Sequence, residues 1–173
     1  MKYFIMIYSF ILVFMIHESF SDPILSGKEL ISKLDSYYSE KNGLWETTSW
    51  WNSANILYAY LEFGELTGDT IYMKRVLHSL ATVQPADMIN DYYDDQGWWG
   101  IALLKAYETT RNKSFRKKAE NLFQDMASSW DDQCGGGIYW KKDRNYKNAI
   151  ANELFILFSI RLYKAGIDRK SVV

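Results

Sequence analysis

Thr67-Gly68-Asp69-Thr70-Ile71-Tyr72 and Thr110-Arg111-Asn112-Lys113-Ser114-Phe115 contain the same parts in the same order, 43 residues apart (67 to 110). In each, a short polar turn leads to an aromatic residue that opens a helix, and Glu65 falls on Glu108 at the same offset. A third copy begins at Ala165-Gly166-Ile167-Asp168. A period of this length with two helices per unit is the signature of stacked helical hairpins, none of which buries its apolar face alone. The repeat therefore predicts an all-α chain assembled from helix pairs.

Helical spacing extends the pattern in both directions from these turns. Ser26 is placed to cap a first helix carrying Leu30, Ile31 and Leu34 to about Tyr38, and Asn42-Gly43 breaks it. A second helix runs from about Trp50 to Leu66, and a third, capped by Asp69 or Thr70, carries Met73, Val76, Leu77 and Leu80. After a looser stretch from Pro85 to Gln96, a fourth runs from Trp98 to about Thr109, a fifth starts at Ser114, and a sixth begins near Asn148. No buried strand is predicted, although Gly137 to Trp140 suits a short hairpin arm. Loops are short at 67–69 and 110–113 but long at 39–49, 84–96 and 129–147. Antiparallel hairpins send alternate connections to opposite ends. The long loops should thus share one rim with Trp45, Asp94, Asp95, Asp131, Asp132, Tyr139 and Trp140.

Composition narrows the function. Of 173 residues, 20 are basic and 21 acidic, so a net charge of −1 leaves no footprint for nucleic acid or an anionic membrane. The single cysteine, Cys134, excludes an intramolecular disulfide and a Cys-based zinc site, and suits a small buried apolar position. His17 and His78 form no cluster, so neither a metal nor a cofactor is expected. Seven Trp, thirteen Tyr and nine Phe make 17% of the chain, and flat amphipathic rings serve sugar clefts as well as cores. Lys2, the apolar run Tyr3 to Ile16 and the small-residue site Ser19-Phe20-Ser21 read as a secretory signal peptide over 1–21. The mature domain would be 22–173, exported, with membrane contact only if the leader stays uncleaved as an anchor. Export gives meaning to Asn112-Lys113-Ser114 as a glycan acceptor on the far rim.

Two carboxylate pairs stand out on the rich rim, Asp94-Asp95 and Asp131-Asp132. Glycosidic cleavage needs one acid to protonate the leaving oxygen and a second carboxylate on the other side of the sugar. Neighbouring acids raise one another's pKa, which supplies a protonated acid beside an ionised partner. Aspartates ahead of a helix are equally ordinary caps that complement its dipole. A catalytic pair would need a turn just before Trp98 to aim both side chains at one cavity. Trp50-Trp51 and Trp98-Trp99 occupy equivalent helix starts, where one ring of each pair should pack between helices and the other face the cleft. Asn52 and Asn148 offer amides to sugar hydroxyls, or caps to helices. Gly135-Gly136-Gly137 lacks the strand, Lys and helix of a phosphate loop, and suits a sharp turn or close backbone approach.

Tyr92-Tyr93-Asp94-Asp95-Gln96-Gly97-Trp98-Trp99, with Ala102 and Ala106-Tyr107-Glu108, resembles the central motif of glycoside hydrolase family 76. Trp130-Asp131-Asp132-Gln133-Cys134-Gly135-Gly136-Gly137-Ile138-Tyr139-Trp140 and Lys147-Asn148-Ala149-Ile150-Ala151-Asn152-Glu153-Leu154-Phe155 resemble its next two blocks. The resemblance spans about residues 26 to 168. It implies an (α/α)6 toroid acting on α-1,6-linked mannose with retention, with Asp94 as nucleophile and Asp95 as acid/base. Substrate contacts would then fall to Asn52, Trp98, Trp99, Asp131, Asp132, Tyr139, Trp140 and Asn148. Some fungal members are tied to cell-wall assembly, which implies transfer of mannan to a sugar acceptor as the alternative to hydrolysis. Six hairpins need twelve helices and this chain supplies six, so a partial toroid is expected. Its open inner helices, two, four and six, would favour self-association, and a non-catalytic mannan-binding half-domain is the third reading.

Overall fold

In the computed structural model, the described residues are 23–46, 48 and 50–166, so the leader expected over 1–21, with Ile167 and Asp168 of the third repeat copy, lies outside them. The chain divides into two compact units, Met1–Ser36 and Tyr37–Val173. In the first unit, α1 spans Pro23–Asp35. Proline suits a first helical position because its fixed φ matches the helix and its missing N–H would have no partner there. The helix therefore starts ahead of Ser26, which lies inside it rather than at its cap.

In the second unit, the expected continuation of α1 to Tyr38 gives way to a small hairpin, β1 (Tyr38–Ser39) against β2 (Leu44–Trp45), with Tyr38 opposite Trp45. Trp45 is 1% exposed, edge-on to Tyr38 and Tyr60. It is a core residue and not part of a rim. Five helices follow: α2 (Trp50–Thr67), α3 (Ile71–Thr82), α4 (Tyr93–Thr110), α5 (Lys113–Ala127) and α6 (Ala149–Lys164). Among the described residues no helix is long and apolar enough to cross a membrane.

The repeated turn is physically a repeat. Thr67 Oγ donates to Phe63 O at 2.8 Å and accepts the Asp69 N–H, while Asp69 Oδ1 accepts the Ile71 N–H. Thr110 Oγ likewise donates to Ala106 O and accepts the Asn112 N–H, and Asn112 Oδ1 accepts the Ser114 N–H. Between threonine and cap the chain goes left-handed, at Gly68 (φ 69°) in one copy and at Arg111 (φ 59°) in the other. Gly166 (φ 75°) does the same after α6. Left-handed backbone suits glycine and costs a side-chain-bearing residue about 1 kcal/mol. Arg111→Gly should thus raise stability by about 0.5–1 kcal/mol, read as a higher urea midpoint with unchanged slope.

Helix α4 packs against α2, α5 and α6, and α3 packs behind α2. From Gln96 to Ala106 only Trp98 escapes burial. Helix four, expected to leave an apolar side open, is thus enclosed. Close approach of α6 depends on Gly97 and Gly100. A Cβ on Gly97 would lie 2.9 Å from Leu154 Cβ, and one on Gly100 would lie 2.2 Å from the Phe158 ring. Toward the other end of α4, Lys105 is buried and bridges Glu62 and Glu65 of α2 at 2.8 and 2.7 Å. Burial works against its charge, but the two carboxylates outweigh it and hold its pKa above the ordinary lysine value. On α6, Ile156, Leu157, Ile160 and Tyr163 remain exposed.

Candidate active site

The site gathers at the start of α4. This helix begins at Tyr93, ahead of the expected Trp98, so Asp94 and Asp95 lie within its first turn and not in a turn preceding it. No side chain caps the helix. Its first donors are met from elsewhere: Trp140 O accepts the Tyr93 N–H at 2.8 Å, and Asn90 Oδ1 accepts the Tyr92 N–H at 2.9 Å. The two acids complement the positive end of the helix dipole.

Each carboxyl is held differently. Asp94 Oδ1 accepts the Asp95 N–H at 3.1 Å, and Asp94 Oδ2 accepts the Trp140 indole N–H at 2.9 Å. Asp95 Oδ2 accepts from Asn90 Nδ2 at 2.7 Å. Burial pushes the Asp95 pKa above the ordinary aspartate value; the Asn90 hydrogen bond opposes that shift and the neighbouring Asp94 charge adds to it. Both side chains are part-exposed.

The tryptophans divide as expected, with one correction. Trp99 is fully buried, its ring 5.1 Å from that of Trp50. Consecutive residues diverge by about 100° on a helix, and α2 supplies Trp50 on the Trp99 side. Trp99 therefore packs the core and does not line a cleft. Its place is taken by Trp51, 37% exposed, whose ring stacks on Trp98 at 5.9 Å and 23°. Asn52 follows Trp51 in the first turn of α2.

The 129–147 loop supplies the remaining residues, and most of them are engaged with one another. Asp131 accepts from Lys147 Nζ, Tyr139 OH and the Gln133 N–H, and the hydrogen bonds of Lys147 and then Tyr139 hold its pKa below the ordinary value. Lys147 Nζ also donates to Asp131 O at 3.0 Å and Gln133 O at 2.9 Å, so it acts as a tethered cation inside the loop. Tyr139 is 6% exposed. Asp131 and Tyr139 thus brace the loop, while Asp132 is exposed at the start of the short turn Gln133–Gly135. Cys134, expected to be buried, is exposed with φ 57°. Asn148 Oδ1 caps α6 by accepting the Ala151 N–H at 3.0 Å. Lys147→Met should lower the melting temperature more than Lys141→Met, whose ion pair with Asp143 lies at the surface, as calorimetry of both variants would show.

Three residues of this arrangement were not singled out by sequence reasoning: Asn90, Trp51 as the exposed ring, and Lys147 as the loop brace. An Asn three residues before a helix start, accepting the N–H two residues on, signals an Asx turn and was legible in principle. Among the described residues no group of His, Cys, Asp and Glu could hold a metal ion.

The sequence model of glycosyl hydrolase family 76 matches residues 27–171. The GH76A α-1,6-mannanase from Salegentibacter sp. HEL1_6 is 29% identical, with a TM-score of 0.79 over 86% of this chain and 47% of its own. An inactive variant of that mannanase with two consecutive aspartates changed to alanine, solved in complex with α-1,6-mannotetrose, aligns at 27% identity and TM-score 0.80, covering 87% and 48% of the two chains. The mannan endo-1,6-α-mannosidase DFG5 of Candida albicans is 26% identical over 133 residues, 65% of this chain and 30% of that protein. The mannan endo-1,6-α-mannosidase DCW1 of Saccharomyces cerevisiae is 27% identical over 139 residues, again 65% and 30%. The chain thus spans about half the length of the solved mannanase and 30% of these fungal relatives.

Proposed function

Because this chain belongs to glycosyl hydrolase family 76, we propose that it acts on α-1,6-linked mannose, with Asp94 as nucleophile and Asp95 as acid/base. The observation that carries the reading is the contrast between two adjacent acids in the first turn of α4. One has both oxygens fixed by N–H donors, and the other is pushed toward the protonated form by burial. Environments that separate two neighbouring carboxyls in this way assign the acid and the nucleophile. The solved mannanase supports it, since its variant lacking two consecutive aspartates is described as inactive and is bound to an α-1,6-mannooligosaccharide.

In the first step the Asp94 carboxylate attacks the anomeric carbon while the bond to the leaving oxygen breaks, and Asp95 gives that oxygen its proton. In the second, Asp95, now ionised, takes a proton from water or a sugar hydroxyl, whose oxygen displaces Asp94 from the anomeric carbon. Two displacements retain configuration, and this geometry suits carboxyls about 5–5.5 Å apart. The stacked Trp98 and Trp51 rings offer a flat face to a mannosyl ring, and Asn52, in the same first turn of α2 as Trp51, is the proposed amide contact. We assign the chain to the secreted class on the leader over 1–21. Asn112, exposed beyond the far end of α4, is the glycan acceptor, roughly 25 Å from the acids along the helix.

The test is incubation of the purified chain with α-1,6-mannotetraose, with and without excess mannobiose as acceptor. Shorter oligosaccharides are expected without acceptor, and transfer shows as products longer than the substrate. A folded chain that changes neither mixture overturns the reading.

A further inference from the structure

Trp140 lies 46 residues from Asp94, yet its indole nitrogen donates to Asp94 Oδ2 at 2.9 Å. Its carbonyl oxygen accepts the Tyr93 N–H at 2.8 Å, so one residue holds both the backbone that opens α4 and the carboxyl that follows. Trp140 is itself held: its N–H donates to Tyr146 O at 2.8 Å, and its ring sits edge-on to Tyr92 and Tyr146 at 5.1 and 6.3 Å. Two residues earlier, Asn152 of α6 pairs with both main-chain groups of Ile138, at 2.9 and 3.0 Å. At the start of the same arm Lys147 gathers three oxygens of Asp131 and Gln133.

We propose that Trp140 is the positioning residue of Asp94, and that the arm braced by Asn152 and Lys147 exists to present its indole N–H. The inference rests on the reading of Asp94 as nucleophile. An unrestrained carboxylate turns about its last torsion, and attack needs a lone pair aimed at the anomeric carbon. The Asp95 N–H on one oxygen and the indole N–H on the other fix the plane of the group. Each oxygen keeps a second lone pair for the reaction. Removing the indole N–H frees that plane without touching the sugar-binding rings of Trp98 and Trp51.

The test joins a kinetic and a spectroscopic readout on the full chain. Trp140→Phe keeps an aromatic ring and loses the donor; kcat should fall about 10- to 100-fold, with KM little changed. The chain has seven Trp, and the indole N–H resonance missing from Trp140→Phe identifies Trp140 in the parent. That resonance should shift in Asp94→Asn, where a neutral amide replaces the carboxylate oxygen that accepts the indole N–H. A Trp140→Phe chain with parental kcat overturns the proposal, and so does an indole resonance indifferent to Asp94→Asn. The second measurement needs no activity, and where Trp140→Phe does not fold, through-bond assignment of the parent identifies the same resonance. Loss of the catalytic reading is therefore distinguishable: the parent would not turn over mannooligosaccharide while the resonance still followed Asp94.

Discussion

The Asp95→Asn chain is expected to cleave α-1,6-mannooligosaccharides about 10²- to 10⁴-fold more slowly than the parent and, at neutral pH, to melt at a higher temperature. The first effect follows from the proposed role of Asp95 as proton donor to the leaving oxygen. The second follows from the sign of the Asp95 shift. Burial raises its pKa in the folded chain, with the Asn90 bond opposing and the Asp94 charge assisting. The folded state therefore binds the proton more tightly than the unfolded one, and stability falls as pH rises from the ordinary aspartate value through the raised one. Asparagine keeps the shape, can still accept from Asn90, and brings no charge to bury. Its advantage in melting temperature should grow as pH rises through the raised Asp95 pKa and vanish below the unfolded carboxyl pKa of about 3.9. Calorimetry of both chains across pH checks the sign, and a variant that is less stable at pH 7 would contradict it.

Gly100→Ala should be among the most damaging small substitutions in the core. Alanine favours a helix over glycine by about 1 kcal/mol, so an open site would gain. The added carbon would lie 2.2 Å from two atoms of the Phe158 ring. Phe158 is fully buried and edge-on to Phe123 at 5.4 Å, so the ring cannot swing aside without displacing a second aromatic. Overpacking of this kind costs about 1–3 kcal/mol, or roughly 3–10 °C in melting temperature for a chain of this size. The same substitution in a Phe158→Leu background should cost less, because the clash is with the ring. Equal cost in both backgrounds would remove the packing account. Since α6 carries Asn152, whose amide braces the Trp140 arm, some activity should be lost with the stability.

The helix pairs were legible because their turns are chemically complete in the sequence: each threonine, left-handed residue and Asp or Asn cap finds its partners within four residues. The start of α4 was not, because its first N–H is met by Trp140 O, and no local signal marks a partner so far along the chain. The Asp94-Asp95 motif could be read in the sequence, but its place inside the helix could not. The choice of Trp51 over Trp99 was hidden for a related reason. Helix α4 is apolar on nearly every side, so periodicity gives no phase, and only packing against α2 and α6 decides which ring is enclosed. Asp131 and Tyr139 are expected as sugar ligands from the resemblance and from their place on the long-loop rim. Lys147 reaches the Asp131 carboxylate from 16 residues away, and Tyr139 then donates to the other oxygen, a pairing that no local pattern marks.

The most direct test uses Asp95→Asn with an α-1,6-mannobiosyl fluoride, whose leaving group needs no acid. Attack by Asp94 should proceed while the second displacement, lacking its base, lags. Digestion and mass spectrometry should then find one mannobiosyl increment on the peptide containing Asp94. An increment on another residue, or donor consumed with no adduct at Asp94, would contradict the account.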